Sequence, residues 1–464
     1  MNPELRRNLW LQFSILRLII APVAVGVVLL LIWLVSGHSL TTVAAFAEWL
    51  YLLIVLLWGT RRAADLVAEE IAGGTWDSQR MSALGAWQMT WGKFIGGTSY
   101  VWYAAGIAFI AHVWARGLVG AMPWQRGEAV QDLHLLGTGL LGQAVSFLTS
   151  LVLLRKQVMR RRLGVTLSQF AGLGASATAS GHLDLGVLFR RLPAIDWFGW
   201  NFPGAEFTLV TLGLFLTWSL FGAYRLMRIE LQFRSIPWAW VAFALFVMIY
   251  AEGLLYAPIR EAANSLAAWF TGPFIIAALL TYAALFLEPK DVVRYRGLWA
   301  ALGAGRAEQA LRLLPQWLPV YVLAAVLGIA IAFSGGLSEL SGVPIMVGPD
   351  LGVLGFSATA SLRVFPVALV FYLLRDGFVV LFFNFGPRRG RADLAAFIGL
   401  LLAYFPLYGI LLSLGATSLI PIVAPYPAAP PLITIGAPLI ECLIVGLLVL
   451  KRAQAAGRFK PAAA

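Results

Sequence analysis

ILRLIIAPVAVGVVLLLIWLV, residues 15 to 35, carries one charged side chain, Arg17, near its start and is otherwise apolar. About 20 such residues wound as a helix at about 1.5 Å per residue cross the roughly 30 Å hydrocarbon core of a bilayer. The run is longer than a signal-peptide core and has no small-x-small cleavage pattern close behind it, so it reads as a retained span. The rest of the chain repeats the pattern. Of its 464 residues 60% are hydrophobic and only 12% charged, against about 25% charged in a soluble domain. So few charges cannot clothe a water-facing surface, which excludes a soluble enzyme.

Apolar blocks between charged or Pro/Gly-rich breaks give twelve expected spans: 15 to 35, 42 to 58, 94 to 115, 133 to 154, 163 to 180, 207 to 224, 238 to 257, 270 to 287, 318 to 333, 363 to 383, 394 to 414 and 433 to 450. The fifth is the least apolar, because Ser168, Gln169, Ser176, Thr178 and Ser180 interrupt it; a re-entrant or interior helix is the alternative. The formal charge is +12, but the basic residues sit in short segments between apolar blocks, where they set membrane orientation rather than bind nucleic acid. With the N-terminus cytoplasmic, 27 of the 34 Lys and Arg fall in inner segments, which places both termini in the cytoplasm of a cell with this chain in its inner membrane. The single Cys442 lies inside an apolar block and excludes an intramolecular disulfide.

The expected fold is therefore all-α, a polytopic transmembrane helical bundle of about twelve spans in two parallel six-span halves. The first half, 1 to 225, has a long inner segment at 59 to 93, and the second, 226 to 464, has one at 288 to 317. A duplicated architecture is the economical reading. Ala-Leu-Gly-Ala recurs at 83 to 86 and 301 to 304, with Glu70 and Glu288 upstream and Lys93 and Arg312 downstream, and Ser-Ala-Thr-Ala-Ser recurs at a different offset, 176 to 180 and 357 to 361.

The inner segment RRAADLVAEEIAGGTWDSQRMSALGAWQMTWGKFIGG, from Arg61, carries the functional signal. Glu69 and Glu70 end a helix that runs beyond the membrane, Gly73 and Gly74 break it, and Thr75 or Asp77 is placed to cap a short new helix. Trp76, Met81, Leu84 and Trp87 give that helix an apolar face, with Asp77, Gln79 and Arg80 towards water or a partner. Lys93 marks the return to the bilayer. A short amphipathic helix held at the tip of two extended spans is a mechanical handle.

The run Glu69, Glu70, then Gly74-Thr75-Trp76-Asp77, then Gly92-Lys93 resembles permease subunits of ABC exporters of the type-two class, which move drugs, lipids and polysaccharides. The resemblance implies that this segment is a coupling helix docking on an ATPase subunit, with Glu69, Glu70, Gly74, Thr75, Trp76, Asp77, Arg80 and Met81 at the contact. The resemblance covers about 1 to 225; the second half matches in topology more than in letters, and its inner segment, with Arg296 and Trp299 as the expected contact, lacks Gly-Thr-aromatic-acid, so the two segments are unequal. Glu4 to Ser14 is similar to the family's interfacial helix, with Leu5, Leu9, Trp10 and Phe13 on one side and Arg6 and Arg7 near phosphate headgroups. The implied partners are separate ABC ATPase subunits at the cytoplasmic face and the lipid membrane, with a second permease copy left open. No Gly-x-x-x-x-Gly-Lys-Ser/Thr occurs, so ATP and Mg belong to the ATPase, no cofactor is expected on this chain, and it is not itself an enzyme.

Glu48, Glu252, Arg375, Asp376 and Glu441 lie within or near spans, where a charge costs about 2.5–3.5 kcal/mol at mid-depth. Arg375, Asp376 and Glu441 read either as a pair locking the second half or as a substrate or proton path. The latter suits the main alternative, an ion-coupled secondary carrier. A third class, a membrane enzyme on a lipid-linked substrate, would draw on Asp184, Asp196 and Glu206. His38, His112, His134 and His182 lack metal-ligand spacing.

Overall fold

The computed structural model describes residues 2–82, 84–120, 126–156, 162–180, 194–233, 238–262, 266–335, 359–386, 391–427 and 429–456. His182, Asp184 and the Arg160 and Arg161 pair of the basic turn lie outside them. The protein is a multi-pass membrane protein built of α-helices, with one two-stranded hairpin, β1 (Ala194–Trp197) and β2 (Trp200–Pro203), among the described residues. Two compact units divide it: Met1–Ile195 with Asn201–Ser235, and Asp196–Trp200 with Ile236–Ala464.

In the first unit a short α1 (Pro3–Gln12) precedes α2 (Ile15–Val35) and α3 (Leu40–Ala72). A five-residue α4 (Trp76–Arg80) follows, then α5 (Ala86–Leu118), α6 (Arg126–Arg155), α7 (Arg162–Ser180) and, after the hairpin, α8 (Gly204–Glu230). The second unit has α9 (Trp238–Ala262), α10 (Leu266–Leu287), α11 (Val292–Gly303), α12 (Ala307–Leu313) and α13 (Trp317–Phe333). It continues with α14 (Thr359–Asn384), α15 (Ala392–Ser413), α16 (Ile420–Val423) and α17 (Pro431–Ala456).

Ten of the described helices are long and apolar enough to cross a membrane, and α12 with α13 makes an eleventh if that pair, bent by 96°, counts as one span. Among the described residues the expected count of twelve is thus unconfirmed. With the bent pair counted at 318 to 333, the one expected span left is 163 to 180: α7 is a helix, but its serines, threonines and glycines keep it below the apolarity of a lipid-facing span. Those small residues have a packing use instead. A Cβ on Gly172 would stand 2.3 Å from Gly142 O, and one on Gly142 would meet Ser176 Oγ at 2.0 Å, so α6 and α7 approach backbone to backbone. The lipid belt shows in the opposite pattern on α2, where Ile15, Ile19, Val23, Leu30 and Leu34 all stay exposed. Large apolar side chains left uncovered on this scale fit hydrocarbon, not water.

Inside α3 the helix loosens into one π turn, Ile54–Gly59. Such a turn releases carbonyls from the regular ladder, and in a bilayer each must find a donor. Polar side chains from the neighbouring helices supply them. Gln143 Nε2 donates to Val55 O, Gln169 Nε2 to Leu57 O at 3.0 Å, and Ser146 Oγ to Thr60 O at 2.8 Å. Gln143 Oε1 in turn accepts from Trp102 Nε1 at 2.8 Å. Gly59 makes room for this: a Cβ there would lie 2.3 Å from Gln143 Nε2.

Candidate functional site

The end of the first unit that carries α1 and α4 is organised around one buried lysine. Asn2 caps α1, its Oδ1 accepting from Glu4 N and Leu5 N while its Nδ2 donates to Gln88 O at 2.7 Å. The helix then lies against the Gly92 and Gly96 stripe of α5, where a Cβ would meet Glu4 Cβ at 2.6 Å and Asn8 Cβ at 2.7 Å. Only glycine permits that approach. The side of α1 turned inward is its polar one, Glu4, Asn8 and Gln12, while Trp10 and Leu11 are exposed.

Glu4 is thereby delivered to Lys93, which is 1% exposed. Lys93 Nζ donates to Glu4 Oε1 at 3.0 Å, to Gln79 Oε1 at 2.6 Å and to Glu70 Oε2. Its three donors are all used. The ring of Trp76 lies 5.6 Å from the same ammonium, a cation–π distance. Arg7 Nη2 closes the group by donating to Glu70 Oε1 and to Glu4 Oε1 at 3.2 Å. Two cations thus face two carboxylates, so the cluster is electrically balanced where an unmatched charge would be costly.

Gly73 and Gly74 let the chain reverse into α4. Gly74 has φ +68°, a left-handed backbone that suits glycine, and Thr75 N donates to Glu70 O at 3.0 Å. Thr75 stands at the start of α4, yet its hydroxyl turns back to Glu70 O, and no side chain caps the helix. The expected capping by Thr75 or Asp77 is therefore absent. The expected face is also rotated: Trp76 and Gln79 point inward, whereas Met81 is 82% exposed and Trp87 is exposed as well. Lys93 causes the rotation, because it needs the Gln79 oxygen as its third acceptor. Arg80 Nε donates to Glu230 O at 3.1 Å, Asp77 is exposed 3.5 Å from Arg80 Nη1, and Glu69 turns sideways to Arg62.

Of the residues singled out from the sequence, Glu70 and Trp76 join this cluster with Lys93, while Asp77 and Met81 form its free outer surface. Glu4, Arg7 and Gln79 were not foreseen in it. The signal available was the Gly92-x-x-x-Gly96 spacing beside Lys93, which marks a helix seat.

The segment at 288 to 317 is built differently. Glu288, buried at the end of α10, pairs with Arg294 and accepts from Gln316 N at 2.7 Å. Arg294 also donates to Leu313 O at 3.0 Å and Leu314 O at 2.7 Å, tying α11 to the bend before α13. Arg312 pairs with Glu308, not with Glu288, so it is no counterpart of Lys93. Tyr295, half-buried nearby, accepts from Trp317 Nε1 at 2.9 Å, and desolvation pushes its phenol up. Arg296 and Trp299 are exposed on α11.

Arg375, Asp376 and Glu441 come together in one network within the second unit. Arg375 donates through Nε to Asp376 Oδ1 at 2.9 Å, through Nη1 to Glu441 Oε2 at 2.7 Å and Val423 O at 3.1 Å, and through Nη2 to Tyr404 OH at 2.9 Å. Tyr282 and Tyr404 each donate to Asp376 Oδ2 at 2.6 Å. Asp376 is thus fully covered, at 0% exposure. Its saturation is what a locking element requires. Asp196 serves the hairpin turn, its Oδ1 accepting from Gly199 N at 2.9 Å.

No family model, curated protein or solved structure matches this chain.

Proposed function

We propose that the chain is the membrane-spanning permease of an ATP-driven exporter of the ABC type-two class, lying in the inner membrane with both termini in the cytoplasm. What supports this reading is the short helix α4, held at its base by Lys93, Glu70 and Gln79 and presenting Asp77 and Met81 outward. A force applied to α4 would pass through Lys93 to α5, through Glu70 to α3 and through Glu4 to α1. The elements that would move together are joined by charge-assisted hydrogen bonds, which resist stretching more than apolar contacts do. Separate ATPase subunits would carry ATP and Mg, and cargo would be moved by differential affinity between two states.

A photoreactive residue in place of Met81 tests this in native membranes. The expected product is a crosslink to a soluble chain bearing a phosphate-binding Gly-x-x-x-x-Gly-Lys-Ser/Thr loop, lost in Arg80→Glu or Asp77→Arg. Cargo movement by purified protein in liposomes without any nucleotide-hydrolysing partner would overturn the reading. It would favour the ion-coupled carrier, which draws support from the network around Arg375, where two carboxylates share one guanidinium.

A further inference from the structure

Glu4, Glu70, Glu288 and Asp376 are covered carboxylates, and each has a Lys or Arg within ion-pair distance. Glu252 does not. It sits in the apolar part of α9, within the candidate span Trp238–Ala257, and is only 9% exposed. Among the described residues neither of its oxygens has a hydrogen-bond partner.

The donors around it are committed elsewhere. Trp197 Nε1, close against Gly253, donates to Tyr250 O at 3.2 Å, and Phe198 N donates to Gly253 O at 3.1 Å. Thr271 Oγ1 donates to Ala267 O at 2.7 Å. Charge is missing among the described residues too. Leu266–Leu287 and Trp317–Phe333, the helices packed on α9, contain no Asp, Glu, Lys, Arg or His, and their titratable groups are Tyr282 and Tyr321. Asp196, on the hairpin tip, is engaged by Gly199 N. On α9 itself Tyr250 and Tyr256 flank Glu252, and Arg260 and Glu261 stand further along the sequence.

An ionised carboxylate in such a place would have no partner among the described residues and little contact with solvent, a cost far above that of holding a proton. The wall it presses on is weak. A Cβ on Gly272 would lie 2.9 Å from Glu252 Oε2, and the next residue, Pro273, sits inside α10. Its ring nitrogen leaves the carbonyl of Trp269 without a helical donor. The α10 backbone can therefore part from α9 here more readily than along an unbroken helix.

We propose that Glu252 is an intramembrane proton-binding site: a neutral acid while α9 and α10 are closed, releasing its proton to water when they separate at Gly272–Pro273. It would add one exchangeable proton to the conformational cycle, whatever drives that cycle, and it does not rest on the ATPase-coupled reading.

The test uses the full chain in liposomes treated with dicyclohexylcarbodiimide, an apolar reagent that attacks protonated carboxyls, with a water-soluble carbodiimide in parallel. Mass spectrometry of the peptide carrying Glu252 gives the extent of modification. The expected result is modification by the apolar reagent alone, falling about tenfold per pH unit above its midpoint as the acid form is depleted, and absent in Glu252→Gln. Equal reaction with the water-soluble reagent would show an exposed carboxylate, and no reaction at any pH would show an ionised one. A rate independent of pH would show a proton that does not exchange. Each of these three overturns the proposal, and because they are read on the unsubstituted protein none depends on a variant folding.

Discussion

Lys93 shows how a single residue decides a local structure. A lysine near the start of a membrane helix would ordinarily extend its stem and place its ammonium among the headgroups. Here the Gly92 and Gly96 seat brings α1 across the top of α5, water is excluded, and the ammonium must be satisfied by Glu4, Glu70 and Gln79. Replacing Lys93 by Met removes one cation and leaves two carboxylates competing for Arg7. We expect Lys93→Met to cost about 3–5 kcal/mol, the scale for breaking a buried ion pair, read as a lowered midpoint of thermal unfolding in detergent. Lys93→Arg should recover part of the loss, because charge is restored but the three-acceptor geometry is not. The Glu69-Glu70 pair and the Gly-Lys pair could be picked out in the sequence, yet which glutamate took the lysine could not. Glu69 and Glu70 point about 100° apart on a helix, and only the position of α5 selects between them.

At the scale of elements, the orientation of α1 is set by the helix it packs on. Glu4, Asn8 and Gln12 face α5, Leu5, Leu9 and Phe13 are half-buried, and Arg6, Arg7, Trp10 and Leu11 stay exposed. A Cβ on Gly92 would collide with Glu4 and with the Leu5 backbone nitrogen at 2.8 Å. Gly92→Ala should therefore unseat α1, at about 1–3 kcal/mol, with faster proteolysis of the N-terminal segment as the readout. Gly106→Ala in the same helix, where a Cβ meets nothing within 4 Å, should leave that rate unchanged. The π turn of α3 gives a second test. Gln143→Leu would leave Val55 O and Trp102 Nε1 without their partner, a loss of about 1–3 kcal/mol. Faster amide hydrogen exchange at Ile54–Gly59 than in the flanking turns would report it. Nothing in the apolar run around Val55 announces a π turn. Its cause lies in α6 and α7, which bring Gln143, Ser146 and Gln169 within reach of the freed carbonyls.

At the scale of the whole molecule, the lysine and arginine bias makes a directional statement that cysteine labelling can check. Cys442 Sγ donates to Phe371 O at 2.9 Å and is buried, so Cys442→Ser provides a tolerant background. In it, Trp10→Cys and Ala455→Cys should both react with a membrane-impermeant thiol reagent from the cytoplasmic side only, and Glu128→Cys from the opposite side only. Labelling of the first two from opposite sides would mean an odd number of crossings. The same experiment with cysteines at either end of α7 asks whether that helix crosses the bilayer, which its composition leaves open.

Hydrophobicity by itself determined that this chain lives in a membrane as a set of helices, and approximately where ten of them run, because the bilayer rewards any apolar stretch of sufficient length regardless of its neighbours. It also marked the segment after Glu69 as unusual, since charges, glycines and tryptophans there break the apolar pattern. Tertiary structure alone decided the rest: that α1 buries Glu4, Asn8 and Gln12, that Gln79 turns inward while Met81 turns out, and that Arg375, Asp376 and Glu441 saturate one another while Glu252 has no partner among the described residues. Burial of a single helix depends on its own residues, but the satisfaction of a polar group depends on which helix stands next to it, and spacing along one chain does not contain that information.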